Sequence, residues 1–202
     1  MEKLKHTKNE LKKQKDALRR FMRYLPTLLL KKQQLQLEIL KIANAIEKLE
    51  EEAAAYRESV YEWVDVFSEG VSIKEFILVD KVNTATGNIA GTDIPIFESI
   101  DFIEKEYDLI KTPLWVDYGI SAAKEMIAFK VKEGILKKQI ALIREELRVT
   151  AQRVNLFEKV KIPESKENIR IINIFLGDAQ TAAVVTGKIA KKKIEQKYAV
   201  AV

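Results

Sequence analysis

The 202-residue chain has no cysteine. This excludes disulfides, thiolate metal ligands and a cysteine nucleophile. Glycine and proline are scarce, at 7 and 4 residues, a balance that favours long helices over a turn-rich β fold. Histidine occurs once, as His6 in a basic end, where a solvated ring is the expected state rather than a catalytic base. The opening MEKLKHTKNEL has no apolar core of a secretory signal. No apolar run approaches the ~20 residues of a membrane span. A soluble, cytosolic protein without membrane insertion is the expectation.

Charge is abundant, at 32% of residues, and unevenly placed. Residues 1–34 hold 11 Lys/Arg against 3 Asp/Glu, residues 35–69 hold 3 against 9, residues 70–114 hold 4 against 8, and residues 115–202 hold 17 against 10. Two basic ends enclose an acidic middle, which points to charged partners at one end.

Apolar periodicity organises the rest. Leu136, Ile140, Ile143, Leu147, Thr150, Val154 and Phe157 alternate steps of four and three, a coiled-coil seam. The stretch ends at Pro163 and a period resumes at Ile169, Ile172, Leu176, Ala179 and Ala183. A matching seam runs from Leu4 to Phe67 without a slip of phase. Its a positions are Leu4, Leu11, Leu18, Leu25, Lys32, Ile39, Ile46, Ala53, Val60 and Phe67; its d positions are Thr7, Gln14, Phe21, Leu28, Leu35, Ile42, Leu49, Tyr56 and Trp63. Thr7, Gln14 and Lys32 weaken it, so the half from Leu35 onward is expected to be firmer. Pro26 predicts a kink near Tyr24–Pro26.

Between the seams, FILVDKV (76–82) reads as a strand, NTATGNIAGTD (83–93) as a loop and IPIF (94–97) as a return strand. Residues 99–111 read as a short helix, and Thr112-Pro113 as the start of a second long helix. This helix runs on toward Tyr198, with disruptions expected at Pro163 and near Gly177–Asp178. Trp115 is expected to pack on the insertion. The predicted fold is mainly α: a long antiparallel two-helix coiled coil with a small central β-hairpin and short-helix insertion. Its segments are 1–67, 68–112 and 113–202. With the two ends level, Pro26 and Gly177 would face each other, and Lys188, Lys191, Lys192, Lys193 and Lys197 would lie beside Lys3, Lys5, Lys8, Lys12 and Lys13.

No catalytic constellation and no phosphate-cradling G-x-x-x-x-G-K-[ST] appears, so no catalytic residue, metal or cofactor is expected. Glu50, Glu51 and Glu52 point in different directions on a helix and read as a solvated face.

The run RVNLFEKVKIP, Arg153 to Pro163, resembles the R-V-N-A-L-E-x-V-x-I-P motif of the D subunits of V-type (archaeal/vacuolar) ATPases, the central rotor shafts of those complexes. Glu145, Glu146 and Thr150 precede it as in that family. LLLKKQQLQLE (28–38) is similar to the family's L-L-K-x-K-x-x-x-L segment, and GKIAKKKI (187–194) to its basic terminus. Gln152 stands where the family usually has a second arginine, and Pro26 is not expected in its first helix. The resemblance implies a non-catalytic stalk subunit whose coiled coil stands inside a ring of catalytic and nucleotide-binding subunits (A and B). It also implies coupling to the membrane rotor, through a small companion known as the F subunit and through a socket subunit. Proton or sodium movement would thereby be linked to ATP hydrolysis or synthesis. Such a subunit would be peripheral, on the cytoplasmic side. Lys3, Lys12, Arg148, Arg153, Lys191, Lys192 and Lys193 are the candidate partner contacts.

Three rivals fit less well. A prefoldin-like chaperone or adaptor would expose apolar rather than lysine-rich tips. A membrane-bending bundle needs a basic stripe where residues 35–69 are acidic. Nucleic-acid binding lacks a recognised module or stacking aromatics.

Overall fold

The structure, a computed structural model, describes residues 4–62, 73–107, 112–113 and 115–200, with side chains described as far as 196. Trp63, Phe67 and Lys3 lie outside the described residues, as do residues 108–111 of the expected short helix.

The chain is mainly helical, with one two-stranded antiparallel sheet. Helix α1 spans Lys8–Tyr61. No glycine interrupts it. Its start is fixed by Thr7, whose Oγ1 accepts a hydrogen bond from the Glu10 amide at 3.2 Å, while the Thr7 carbonyl accepts from the Leu11 amide at 3.0 Å. Thr-x-x-Glu is capping-box chemistry, so Thr7 caps the helix instead of joining the seam. The helix runs through Pro26. From Leu4 to Val60, every other described a and d position is buried or half-buried. Leu35, Ile42 and Ile46 are the deepest, which places the firm half of the seam where its composition put it.

Strands β1 (Ile77–Ile89) and β2 (Thr92–Glu104) form one long hairpin. Two expectations are corrected here. Residues 83–89 and 92–93, read as loop, pair within the sheet, and only Ala90 and Gly91 turn, at φ of 50° and 82°. Two successive positive φ angles make the tight two-residue turn whose twist matches the strands. The asparagine that suggested a loop works inside the ladder. Asn88 Oδ1 accepts from the Gly91 amide at 3.0 Å, and its Nδ2 donates to Asp93 at 2.7 Å. Residues 99–104, read as helix, continue β2, because Ile100, Ile103 and their neighbours pair with Val82 and Leu78. Cross-strand pairing outweighs the helical spacing of a few isoleucines.

Helix α2 spans Trp115–Asn155, a six-residue π-helical segment spans Leu156–Lys161, and α3 spans Ile162–Val200. The disruption expected at Pro163 is this π segment, with Pro163 in the first turn of α3. No break occurs at Gly177–Asp178, since α3 passes through both. The helix from Trp115 to Gln196 also holds a stretch long and apolar enough, by length and composition, to cross a membrane, which corrects the sequence reading.

Two compact units are distinguished: residues 1–30 with 151–202, and residues 31–150. In the second, Leu35, Ile42 and Ile46 of α1 pack with Ile140 and Ile143 of α2 and Ile94 of β2. A smaller cluster joins Ile77, Trp115, Val116 and Ile120, with Phe76, Phe102 and Tyr107 against it, so Trp115 does pack on the insertion. Contacts within this unit descend in order: Tyr56 with Phe129, Glu50 with Lys137, Lys31 with Glu146. The helices there run antiparallel. In the first unit, Phe21 meets Phe157 and His6 meets Phe175, again in opposite order.

Candidate functional site

In the unit formed by residues 1–30 and 151–202, the sequence holds 19 Lys/Arg against 8 Asp/Glu; residues 31–150 hold 16 against 22. The excess positive charge is carried by the outer faces of α1 and α3, because the apolar period takes the inner ones. Lys12, Arg148, Arg153, Lys191, Lys192 and Lys193 are all exposed.

Their electrostatic states differ. Arg148 is already engaged: Nε donates to Glu145 Oε2 at 2.9 Å and Nη2 to Oε1 at 2.6 Å. This forked pair holds the Glu145 carboxyl below its ordinary range and raises the Arg148 guanidinium. Arg170 and Glu167 repeat it one helix later, with the same directions and cause. Among the described residues no carboxylate pairs with Arg153, so its charge is open to a partner. Lys191 lies 3.8 Å from Glu195, both exposed, a pair too solvated to hold it firmly.

The expected alignment of the chain ends is corrected by the aromatic contacts. His6 stands over Phe175 at 4.8 Å between ring centroids, and Phe21 over Phe157 at 5.1 Å. Lys191 therefore lies 16 residues beyond the level of His6, ~24 Å at ~1.5 Å per residue, while Lys12 lies the other way. The two lysine groups do not share one tip, and Pro26 and Gly177 do not face each other. Side-chain fit sets the register, and α3 outruns the start of α1. Residues 177–196 of α3 are exposed throughout, with Val184, Val185, Ile189 and Ile194 each at least half exposed. An open groove nearby is lined in part by Lys5, Lys13, Lys159 and Lys161 together with Glu10 and Glu164, and Lys12 is not part of it.

Three links escaped the sequence reading. Lys31 Nζ donates to Glu146 Oε1 at 2.6 Å between α1 and α2, both side chains more than two-thirds covered. Gln139, buried, donates its Nε2 to the Pro95 carbonyl at 2.5 Å and fastens β2 to α2. Tyr107 donates its hydroxyl to Asp117, which raises the Tyr107 phenol above its ordinary value. The only available signal was a lysine and a glutamine on or beside seam positions. Among the described residues no group of three or more His, Asp or Glu is placed to hold a metal ion.

A family model for the ATP synthase D subunit matches residues 10–192. The chain is 53% identical over 197 residues to the V-type ATP synthase D subunit of Borreliella burgdorferi, covering 98% of both chains. It is 37% identical to the protein of that name from Chlamydia caviae, over 96% of this chain and 95% of the relative, and 34% identical to that of Chlamydia pneumoniae, over 97% and 95%.

Proposed function

Because this chain belongs to the family of ATP synthase D subunits, we propose that it is the non-catalytic central-stalk rotor subunit of a V-type ATPase or ATP synthase. The family makes it a subunit of a rotary ATPase complex, peripheral to the membrane. In our reading its rotation couples ATP hydrolysis or synthesis to proton or sodium transport. Segments 1–67 and 113–202 form the shaft as an antiparallel coiled coil, and segment 68–112 is a side insertion. The shaft stands within the ring of catalytic and nucleotide-binding A and B subunits. The small F subunit and the membrane-rotor socket subunit engage the other end, on the cytoplasmic side.

The observation that supports this reading is the antiparallel pairing of α1 with the second long helix along a seam of buried and half-buried positions, with Lys12, Arg153, Lys191, Lys192 and Lys193 on the exposed side. A shaft turned inside a ring must hold itself together without adhering to any one neighbour. Exposed cations suit that need, since each solvated contact is worth ~1 kcal/mol or less. Lys12, Arg153, Lys191, Lys192 and Lys193 are the proposed contacts, with Arg148 available only after leaving Glu145 and Lys3 outside the described residues.

The test is affinity purification of the tagged full chain from its native cells, with co-purifying proteins identified and ATPase activity assayed. Recovery of the catalytic ring and the F subunit is expected, with activity lost when residues 188–202 are removed. Recovery of unfolded clients or nucleic acid without ATPase subunits would overturn the reading.

A further inference from the structure

A helix that holds its hydrogen bonds in regular α spacing is stiff along its whole length. In the unit of residues 1–30 and 151–202, one helix departs from that spacing at a π segment and the other lacks one of its bonds at a proline. On one side lies the π segment Leu156–Lys161, where the Ile162 amide reaches back five residues to the Phe157 carbonyl. Pro163 follows at once. It has no N–H to donate, and in regular α geometry its ring would press on the Lys159 carbonyl. The wider π turn relieves that clash. On the other side lies Pro26, inside α1, which leaves the Met22 carbonyl without its usual donor. The Phe21–Phe157 contact, 5.1 Å between centroids, lies between the two defects, with Pro26 on one side of it along the antiparallel pair and the rest of the π segment on the other. Phe157 belongs to the π segment, and Pro26 is five residues from Phe21, ~7.5 Å along the helix.

The surrounding packing is thin. No described residue of α1 before Leu35 is fully buried, and Leu156 and Val160 are 44% and 48% exposed. A covered face nonetheless continues across the defect. It runs Val154, Phe157, Lys161, Ser165, Asn168, Ile172 and Leu176, all buried or half-buried, with Lys161, Ser165 and Asn168 as polar members beside the π segment. The inner face therefore stays in register across a backbone that does not.

We propose that Leu156–Lys161 and the turn around Pro26, tied by Phe21 and Phe157, form a single compliant joint at which this helical pair bends and twists before it yields elsewhere. π segments and interior prolines are the recognised sites of helix bending. Weakly protected backbone bonds with little buried side-chain surface open most readily. As a property of the chain the joint stands by itself. Its use as a torsional spring in a turning shaft rests on the rotor reading.

The experiment is amide hydrogen exchange on the full chain, alone and in the purified ATPase complex. Exchange at residues 157–162 is expected to be at least tenfold faster than at 143–154 and at 166–172, a local maximum and not a gradient from a frayed end. A variant that lacks Lys159 and carries Pro163→Ala restores regular α spacing while keeping both flanking seams in phase. It is expected to fold, by circular dichroism, and to lose that maximum. Rotation of a bead on the complex should then show narrower angular fluctuation. Equal protection along residues 143–172 in the native chain overturns the joint, whatever the complex does. A joint that exchanges fast in a chain that never enters an ATPase complex overturns the rotor reading and leaves the joint in place.

Discussion

Glu133 shows how much one half-buried residue is shaped by its neighbours. Lys130 donates to its Oε2 at 2.9 Å and Lys137 to its Oε1, and these bonds hold its carboxyl down at about 2. A carboxyl lowered by folding stabilises the native state above its ordinary value near 4.5, and that contribution is lost as pH falls through about 2. Glu133→Gln should therefore lower the melting temperature at pH 6, and the difference from the parent should vanish by about pH 2 in calorimetry. Ile143 and Leu142 provide a packing contrast between adjacent residues. Ile143 is fully buried, whereas Leu142 is 38% exposed. Ile143→Ala is expected to cost about 3 kcal/mol by urea denaturation, and Leu142→Ala under about 1 kcal/mol. Equal costs would mean that the α1–α2 seam is not where the burial places it.

At the scale of elements, the hairpin is the part most dependent on single bonds. Gln139 supplies a buried donor to the Pro95 carbonyl, and Gln139→Ala would leave that carbonyl unsatisfied beside Ile94. A loss of about 1–3 kcal/mol follows, with faster exchange at the Ile96 and Phe97 amides. The turn imposes a second constraint. Gly91→Ala forces a side chain into φ of 82° and should cost about 1 kcal/mol in the same assay. At Gly87 a Cβ would meet Ile96 Cδ1 at 2.5 Å, so a side chain there would push the half-exposed Ile96 side chain aside. These positions explain why the hairpin was only half legible in the sequence. Val82 and Ile94 announced strands, but Ile100 read as helix, and the glycines and asparagines that shape the turn read as loop, until pairing partners were known.

At the scale of the whole molecule, the charged end of α3 is proposed to contribute function without stability. Residues 188–196 are exposed. Removing residues 188–202, or changing Lys191, Lys192 and Lys193 together to Glu, should leave the urea midpoint of the full chain unchanged within error. The same changes should weaken its incorporation into the ATPase complex, measured by co-purification with the catalytic subunits. A fall in the midpoint would show that this end packs on the chain itself.

The sequence by itself determined the helical class, the phase of the α1 seam and of the second seam as far as Leu176, and the two strand cores, because periodicity in apolar residues records which face must leave water; Ala179 and Ala183, expected to continue that seam, are exposed. Leu35, Ile42 and Ile46 were legible as the firm half of α1, and Pro163 as a point of disruption, for that reason. The tertiary structure decided the rest. The pairing register, with His6 over Phe175, depends on side-chain fit between residues far apart in the chain. The extent of β2 through residues 99–104 depends on partners in β1. The π segment, with the Ile162 amide bonded to the Phe157 carbonyl just before Pro163, has no counterpart in the apolar periodicity.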